Sequence, residues 1–352
     1  MKKILFIGQF PPPLHGVSVI NGYLCDELEK TYHVTRYDYK FNDDLKSINE
    51  SSKVTKIIRF VFHFLNIFKL IVLSSGYEYI YFTPNVKGGV FYRDLILIQL
   101  FRLSKASVYL HLHGLGVKAN LNAMFRVLYK MMFFRNNIIH VSEKVLNEEF
   151  SGTDFGVNTL SYLNNSVDFE VMSSFYQEYD KESVLVYMAN FRQSKGTLDV
   201  LDVYNNIRKV RTCKLLMIGG FTSDSFEKEV LNYIDNKAIE GVEILGFLDG
   251  DLKYSKLASG TVFLYPSYDD SFGLVVLEAQ ALGLPVCAYD IGSMSQIINR
   301  RTGRIVNVGD TAALEVACNS LLDAGKSIPD SEFLRDYNLK DYVARFVKII
   351  EG

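Results

Sequence analysis

The sequence predicts an α/β protein made of two doubly wound, Rossmann-like domains in series. Short apolar runs alternate with helical stretches along the chain, which is the pattern of parallel sheets. The length of 352 residues is large for a single core and suits two domains. An apolar fraction of 48% with 22% charged residues is typical of a globular chain.

Eleven short apolar runs are predicted to be strands. Six lie in the first half of the chain, at residues 4–7, 34–37, 79–82, 108–112, 138–141 and 159–163. Five lie in the second half, at residues 184–188, 214–218, 242–245, 261–264 and 286–289. The pattern places a first domain at residues 1–166, a second at 167–330 and a C-terminal helical stretch at 331–352. The joint between the domains is expected near residues 165–181.

Candidate ligand-binding residues follow the strands, because ligands of parallel sheets bind beyond the carboxyl ends of the strands. Gly16 follows the first strand in a loop that leads into a helix, whose first amides can receive phosphate. His113 follows the fourth strand, and Gly219 and Gly246 follow two strands of the second half. The first loop lacks the pattern G-x-G-x-x-G, which argues against an NAD-dependent enzyme.

The cysteines and the first residues indicate a cytoplasmic protein. The four cysteines lie far apart in the sequence with no C-x-x-C pair, so they are predicted to be buried thiols of a reducing compartment. The opening MKKILFIGQF has two lysines and an apolar run, as a signal peptide does. That run is short, meets three prolines and lacks a small-residue cleavage site, so it is interpreted as the first strand.

Charge is spread unevenly between the two halves. Residues 1–164 contain 19 Lys and Arg against 13 Asp and Glu, whereas residues 165–352 contain 19 against 27. A basic first half indicates contact with something anionic, either a membrane surface or a phosphate-bearing substrate. Basic runs interleaved with aromatic residues are not evident, so nucleic acid is not expected as a partner.

Residues 53–73 are predicted to form a helix with one polar stripe. The stripe contains Lys56, Arg59, His63, Asn66 and Lys69, and the remaining positions are mostly apolar. Five polar groups argue against a membrane-spanning helix. Two interpretations stay open. The helix packs on the first sheet, or it inserts partly into an anionic bilayer, as a peripheral protein of the inner membrane face would.

Residues 265–289 are the most informative stretch of the chain. A buried strand runs into a polar loop, and a helix is expected to begin at about Phe272. Glu278 lies among apolar residues of this helix, and Asp270 lies eight positions before it. An unpaired carboxylate cannot be buried at reasonable cost, so Glu278 is predicted either to have a partner or to face a cleft.

The two acids and the G-L-P that follows them resemble the signature of the retaining, nucleotide-sugar-dependent family "glycosyl transferases group 1". The usual pattern is Glu-x7-Glu, and this chain has Asp-x7-Glu. The resemblance implies the GT-B fold, in which the two Rossmann-like, doubly wound domains face a cleft, with the acceptor on the first domain and the donor on the second. It also implies that the C-terminal helix crosses back to the first domain.

The same resemblance implies roles for individual residues. The segment ANFRQSKGT resembles the family's phosphate-binding loop, so Arg192 and Lys195 are expected to bind the donor diphosphate, with His113 and Asp270 facing the transferred sugar. Glu278 is expected to bind the ribose. The other donor-binding positions are Gly16, Gly196, Gly219, Gly246, Phe247, Ser271, Phe272, Gly273 and Leu274. No covalent nucleophile, cofactor or metal is expected, because the two cations would replace a divalent ion.

The expected reaction is transfer of a hexose from a UDP- or GDP-sugar to a hydroxyl of a glycan acceptor. The resemblance implies a lipid-linked acceptor and a role in bacterial surface polysaccharide synthesis. Two other functions remain open from the sequence. One is a sugar-nucleotide epimerase of the same fold, and the other is a non-catalytic partner subunit that binds nucleotide sugar.

Overall fold

The computed structural model describes residues 1–12, 16–41, 53–73, 76–176 and 183–352. The chain forms two compact units. The first contains residues 1–165 and 340–352, and the second contains residues 166–339. Each unit contains a six-stranded parallel sheet flanked by helices, which confirms the predicted fold class. Part of the predicted joint, at 177–181, and residues 13–15 of the first loop lie outside the described residues.

The sheet of the first unit has the strand order β2-β1-β3-β4-β5-β6. Its strands are β1 (Lys3–Gly8), β2 (His33–Asp38), β3 (Tyr79–Phe82), β4 (Ser107–Leu112), β5 (Asn137–His140) and β6 (Thr159–Tyr162). The helices between them are α1 (Gly16–Leu28), α2 (Lys53–Leu73), α3 (Gly88–Phe101), α4 (Ala123–Phe133) and α5 (Glu143–Phe150). The central strands are almost fully buried because helices cover both faces of a parallel sheet.

The sheet of the second unit has the order β12-β11-β10-β7-β8-β9. Its strands are β7 (Ser183–Met188), β8 (Cys213–Ile218), β9 (Val242–Gly246), β10 (Val262–Tyr265), β11 (Val286–Tyr289) and β12 (Arg304–Val306). Its helices are α6 (Phe169–Ser173), α7 (Thr197–Ile207), α8 (Asp224–Asn236), α9 (Gly250–Ala258), α10 (Leu274–Ala281), α11 (Met294–Ile297), α12 (Thr311–Ala324) and α13 (Ser331–Leu334). The last helix, α14 (Leu339–Glu351), lies almost wholly in the first unit.

The eleven predicted strands are all present, but the prediction differs from the structure in two details. The twelfth strand, β12, was not predicted, because it has only three residues, two of them half-buried, and therefore leaves no long apolar run in the sequence. The helix expected to begin at about Phe272 begins at Leu274. The cause is Gly273, whose φ of 86° lies in the left-handed region and cannot continue a right-handed helix.

The helix α2 packs on the first unit through a narrow side. Ile67 and Ile71 are buried in the core beneath α2, α3 and α4, and His63 is 9% exposed. The broad apolar side of α2 is exposed. Within the described part of the chain, no helix has the combination of length and apolarity that crossing a membrane requires.

Candidate functional site

Two loops meet at the carboxyl edge of the second sheet. The strands β7 and β10 are neighbours, so the turn after β7 and the loop after β10 lie side by side. The Tyr268 backbone N–H donates to the Ser194 carbonyl oxygen at 2.9 Å. Lys195 Nζ donates to the Asp269 carbonyl oxygen at 2.8 Å. Hydrogen bonds therefore join the turn that contains Lys195 to the loop that contains Asp270.

Gly196 is required where the two loops touch. Its φ is 69°, and a Cβ added there would lie 2.0 Å from the Pro266 carbonyl oxygen. That oxygen belongs to the backbone and cannot move aside as the end of a flexible side chain can. The glycine therefore allows the close approach that brings Lys195 to the loop after β10.

Lys195 and Asp270 form a nearly buried ion pair. Lys195 Nζ lies 2.7 Å from Asp270 Oδ2, and the two side chains are 13% and 16% exposed. Tyr265 Oη also donates to Asp270 Oδ2, and the Phe272 backbone N–H donates to Oδ1 at 3.1 Å. Burial alone would raise the pKa of Asp270, but the Lys195 charge and these hydrogen bonds outweigh it and lower that pKa. Asp270 is thus held as a carboxylate.

The pairing joins two side chains that the family resemblance assigns to different parts of a donor. Lys195 was expected on the diphosphate and Asp270 on the transferred sugar. Arg192, the other cation of this turn, is exposed and makes no ion pair with any residue the structure describes. Arg192 is therefore the more accessible cation of this turn.

Glu278 has two oxygen atoms in different surroundings. Oε1 lies 2.8 Å from Lys253 Nζ, and the two side chains are 12% and 20% exposed, respectively. Burial would lower the pKa of Lys253, but the adjacent Glu278 carboxylate raises it above its usual value. Oε2 is buried and has no hydrogen-bond partner among the described residues. One acceptor of this carboxylate is thus satisfied and the other is vacant.

Three residues that contact the predicted site were not predicted from the sequence to belong to it. Lys253 lies on α9 outside any recognised motif, and only folding brings it to Glu278. Tyr265 was treated as a strand residue, although its place at the carboxyl end of β10 is a signal for a site. Asp199 accepts hydrogen bonds from Tyr268 Oη at 2.6 Å and Tyr289 Oη at 2.7 Å. Asp199 thereby fixes the loop after β10 to α7.

The start of α10 is held against the segment before α11. Ser293 Oγ donates to the Ser271 carbonyl oxygen at 2.7 Å, and Phe272 is 2% exposed. A Cβ on Gly273 would lie 2.4 Å from Met294 Cε. Leu274 is the first helical residue, and the first amides of a helix lack intrahelical partners.

The ends of β7, β8 and β9 meet at two glycines. The Gly219 N–H donates to the Gly246 carbonyl oxygen at 2.8 Å. Gly219 has a φ of 137°, and a Cβ there would lie 1.8 Å from the Ala189 carbonyl oxygen. Phe247 follows with 53% of its surface exposed. The structure therefore brings these predicted positions together at one edge of the sheet.

Gly16 and His113 belong to the first unit. Gly16 begins α1 and is exposed, and His113 follows β4 with its ring centroid 4.1 Å from that of His111. His111 Nδ1 lies 2.7 Å from Tyr81 Oη. Burial, followed by the neighbouring His113, lowers the pKa of His111 well below its usual value. Both imidazoles thus lie at the carboxyl edge of the first sheet.

No group of three His, Cys, Asp or Glu residues that could hold a metal ion occurs in the described part of the chain. Asp249 and Asp251, two acids one residue apart, lie at the start of α9 and are exposed. The four cysteines are buried and free.

Residues 182–324 match the family model described as "Glycosyl transferases group 1". The chain is 29% identical over 217 residues to N-acetyl-alpha-D-glucosaminyl L-malate synthase of Bacillus anthracis, which covers 58% of this chain and 55% of that protein. It is 25% identical over 230 residues to the capsular polysaccharide biosynthesis glycosyltransferase CapM of Staphylococcus aureus, covering 60% and 59%. The matched region thus spans little more than half of each relative.

Solved structures share the fold over the whole chain. Sucrose-phosphate synthase from Thermosynechococcus elongatus superposes with a TM-score of 0.79 at 16% identity, covering 100% of this chain and 98% of that one. Anabaena HepE in complex with UDP-glucose superposes with a TM-score of 0.72 at 15% identity, covering 100% of both chains. The two sheets with their helices are the GT-B fold.

Proposed function

We propose that this protein is a glycosyltransferase that moves a hexose from a UDP- or GDP-sugar to a hydroxyl of a glycan acceptor, with retention of the anomeric configuration. The observation that carries the proposal is the buried, unpartnered Oε2 of Glu278. An unsatisfied buried acceptor costs about 1–3 kcal/mol, and a ribose hydroxyl that donates to it would remove that cost. Glu278 also lies within the segment that matches the family model.

Lys195 can hold a phosphate without leaving Asp270. An ammonium group has three donor hydrogens. Two are used at short range, on Asp270 Oδ2 at 2.7 Å and the Asp269 carbonyl oxygen at 2.8 Å, and the third has only Tyr265 Oη at 3.4 Å. A phosphate oxygen would be a better partner for the third hydrogen. Lys195 would then bridge the diphosphate and the acid expected to face the sugar.

The diphosphate is the leaving group, so the site must stabilise the negative charge that develops on it. The exposed Arg192 guanidinium offers a fork of donors for this purpose, and the first amides of α10 add partial positive charge. Asp270 stays ionised beside Lys195 and would accept a hydrogen bond from a hexose hydroxyl. Gly219, Gly246 and Phe247 would border the base of the donor.

The first unit would bind the acceptor. Gly16 and His113, which the family resemblance assigns to the donor, follow strands of its sheet. We further propose a lipid-linked acceptor in bacterial surface polysaccharide synthesis. The name of the capsular relative and its 25% identity to this chain support the polysaccharide class.

Screening of UDP- and GDP-sugars by thermal stabilisation, followed by assay of diphosphate release, tests the proposal. We expect one nucleotide class to raise the melting temperature and its sugar to be transferred to a glycan acceptor with release of UDP or GDP. The anomeric proton coupling of the product, measured by NMR, tests retention.

The same assay separates the two alternatives. Conversion of the nucleotide sugar without any acceptor would identify an epimerase. Binding without release of diphosphate, with every acceptor class tried, would identify a non-catalytic subunit. Failure of all nucleotide sugars to bind would overturn the donor site itself.

A further inference from the structure

The helix α2 exposes a continuous apolar face along its whole length. Its members recur at intervals of three and four residues and are each between 41% and 69% exposed. We call this the α2 face, and it consists of Val54, Ile57, Ile58, Val61, Phe62, Leu65, Phe68, Val72 and Leu73. At 1.5 Å per residue, the 21 residues of α2 extend roughly 31 Å. Contiguous apolar surface on this scale usually marks an interaction site.

Two polar residues of α2, Arg59 and His63, point the other way, toward the protein. Arg59 donates to the Phe41 carbonyl oxygen. His63 Nδ1 lies 2.8 Å from Tyr37 Oη, and its Nε2 lies 3.1 Å from the Lys40 carbonyl oxygen. A surface helix of a soluble protein normally does the reverse and buries its apolar side. These hydrogen bonds fix the rotation of α2, so the apolar side cannot turn inward without breaking them.

Two neighbouring helices extend the α2 face. The helix α3 packs beside α2, and α4 beside α3. Their buried residues share one core with those of α2, so all three helices cover the same face of the first sheet. Their outward side chains are also apolar and exposed, including Tyr92, Ile96, Met124, Val127 and Met131.

Charge on these three helices is almost wholly positive. The helix α2 contains four basic residues and α4 contains two, and neither contains an acid. The one acid of α3, Asp94, is fully buried and paired with Arg93 at 2.8 Å. Lys56, Lys69, Arg126 and Lys130 are exposed. An apolar surface with exposed cations and no exposed acid complements lipid tails beneath anionic headgroups.

We propose that the α2 face, with the outward residues of α3 and α4, inserts into the interface of a bilayer that contains anionic lipid. A second copy of this chain fits the surface less well, because a symmetric contact would place like charges against each other. The proposal does not rest on the proposed transferase activity. It is compatible with a lipid-linked acceptor, since it would hold the first unit at the surface where such an acceptor lies.

Flotation of the full chain with vesicles tests the proposal. The vesicles are phosphatidylcholine alone or with added phosphatidylglycerol, each at low and high salt. We expect binding to the anionic vesicles at low salt and weaker binding at high salt, because salt screens exposed charges. No binding to anionic vesicles at low salt would overturn the proposal.

Double substitutions on and away from the α2 face test whether this face binds the vesicles. Phe62→Ser with Leu65→Ser should lower partitioning at least about tenfold at either salt, because each removes exposed apolar surface. The matched control is Val210→Ser with Val316→Ser in the second unit, where both residues are similarly exposed. The control should bind as the parent does. Equal binding by the Phe62/Leu65 variant and the parent would overturn the proposal.

The charge contribution has its own matched pair. Arg126→Gln with Lys130→Gln should lower partitioning about 25-fold at low salt, at about fivefold for each cation, and little at high salt. Lys209→Gln with Lys228→Gln in the second unit is the control and should behave as the parent does. Loss of a dimer in the Phe62/Leu65 variant, with no vesicle binding by the parent, would instead identify a protein interface.

A reporter variant gives a measurement that does not depend on loss of binding. The chain contains no tryptophan, so Phe62→Trp supplies a single indole on the α2 face. Its emission should shift to the blue when anionic vesicles are added. Val316→Trp, in the second unit, should show no shift. Equal emission from Phe62→Trp with and without vesicles would contradict insertion.

Discussion

The two oxygen atoms of the Glu278 carboxylate differ, because Lys253 pairs with Oε1, while Oε2 has no hydrogen-bond partner among the described residues. Two substitutions test this carboxylate. Removing the charge of Glu278 should weaken ligand binding and also break the pair, whereas removing Lys253 should affect mainly the fold.

Glu278→Gln should weaken binding of the nucleotide diphosphate about ten- to a hundredfold, with the fold retained at a lower melting temperature, because Lys253 loses its charged partner. Loss of a charged hydrogen bond costs roughly 1.5–3 kcal/mol, and Gln is nearly isosteric with one acceptor oxygen. Calorimetry with UDP and GDP measures the change. Unaltered affinity together with the parent rate of transfer would show that the carboxylate is structural and that the donor site lies elsewhere.

Lys253→Met should lower the free energy of unfolding by about 3 kcal/mol, the lower end of the range for breaking a buried pair, because Glu278 is left charged without its partner. Lys253→Met with Glu278→Leu is the matched control and should recover much of the loss. Urea denaturation of the parent, both single variants and the double variant gives the coupling energy. Additive effects would contradict a stabilising pair.

The lowered pKa of Asp270 predicts that the protein loses stability in acid. Its pKa is lower in the folded protein than in the unfolded chain, so its stabilisation is present above the unfolded value near 4 and is lost as pH falls through the folded value. Asp270→Asn should therefore lower stability at neutral pH and flatten its fall below about pH 4. Melting curves across this range are the measurement. Parallel curves for parent and variant would refute the assignment.

At the scale of elements, the contact between the turn after β7 and the loop after β10 depends on one glycine. An alanine held in the left-handed region costs about 1–2 kcal/mol. Gly196→Ala should destabilise the protein by more than this, because its Cβ would also clash with the Pro266 carbonyl oxygen. Gly250→Ala is the control, since its φ is 52° and nothing lies within 4 Å of an added Cβ. Equal losses in the two variants would show that the backbone contact is unimportant.

The strands were predictable because parallel strands buried on both faces leave continuous apolar runs in the sequence. The three-residue β12 leaves no such run. Asp270, Glu278 and Lys195 were predictable as candidates because they lie in recognisable motifs. The partners of these residues could not be predicted. Lys253 lies 25 positions from Glu278 in the sequence, and Tyr265 has the sequence pattern of an ordinary strand residue. Pairing between helices depends on tertiary packing, which local patterns do not encode.

The rotation of α2 was also beyond the sequence. Its polar stripe and apolar remainder were evident, but the pattern left both packing on the sheet and insertion into a bilayer open. Hydrogen bonds from Arg59 and His63 to carbonyl oxygens of residues 40–41 fix the rotation and leave most of the apolar side exposed.

At the scale of the whole molecule, we expect transfer activity to persist in excess EDTA. Under the proposed function, Arg192 and Lys195 would supply the positive charge that a divalent ion would otherwise bring to the diphosphate. Release of UDP or GDP, assayed with and without EDTA and then with added magnesium or manganese, checks this. Loss of activity that either metal restores would refute it and would direct attention to Asp249 and Asp251.

The first unit is assembled from both ends of the chain. In α14, Phe346 packs its ring 5.4 Å from that of Tyr81, and Glu351 Oε1 lies 2.8 Å from Lys2 Nζ. During synthesis the ribosome therefore makes residues 1–165 long before it makes the helix that completes their core. The second unit, 166–339, is contiguous and can finish folding first. The core that receives Phe346 therefore stays incomplete until α14 has been made.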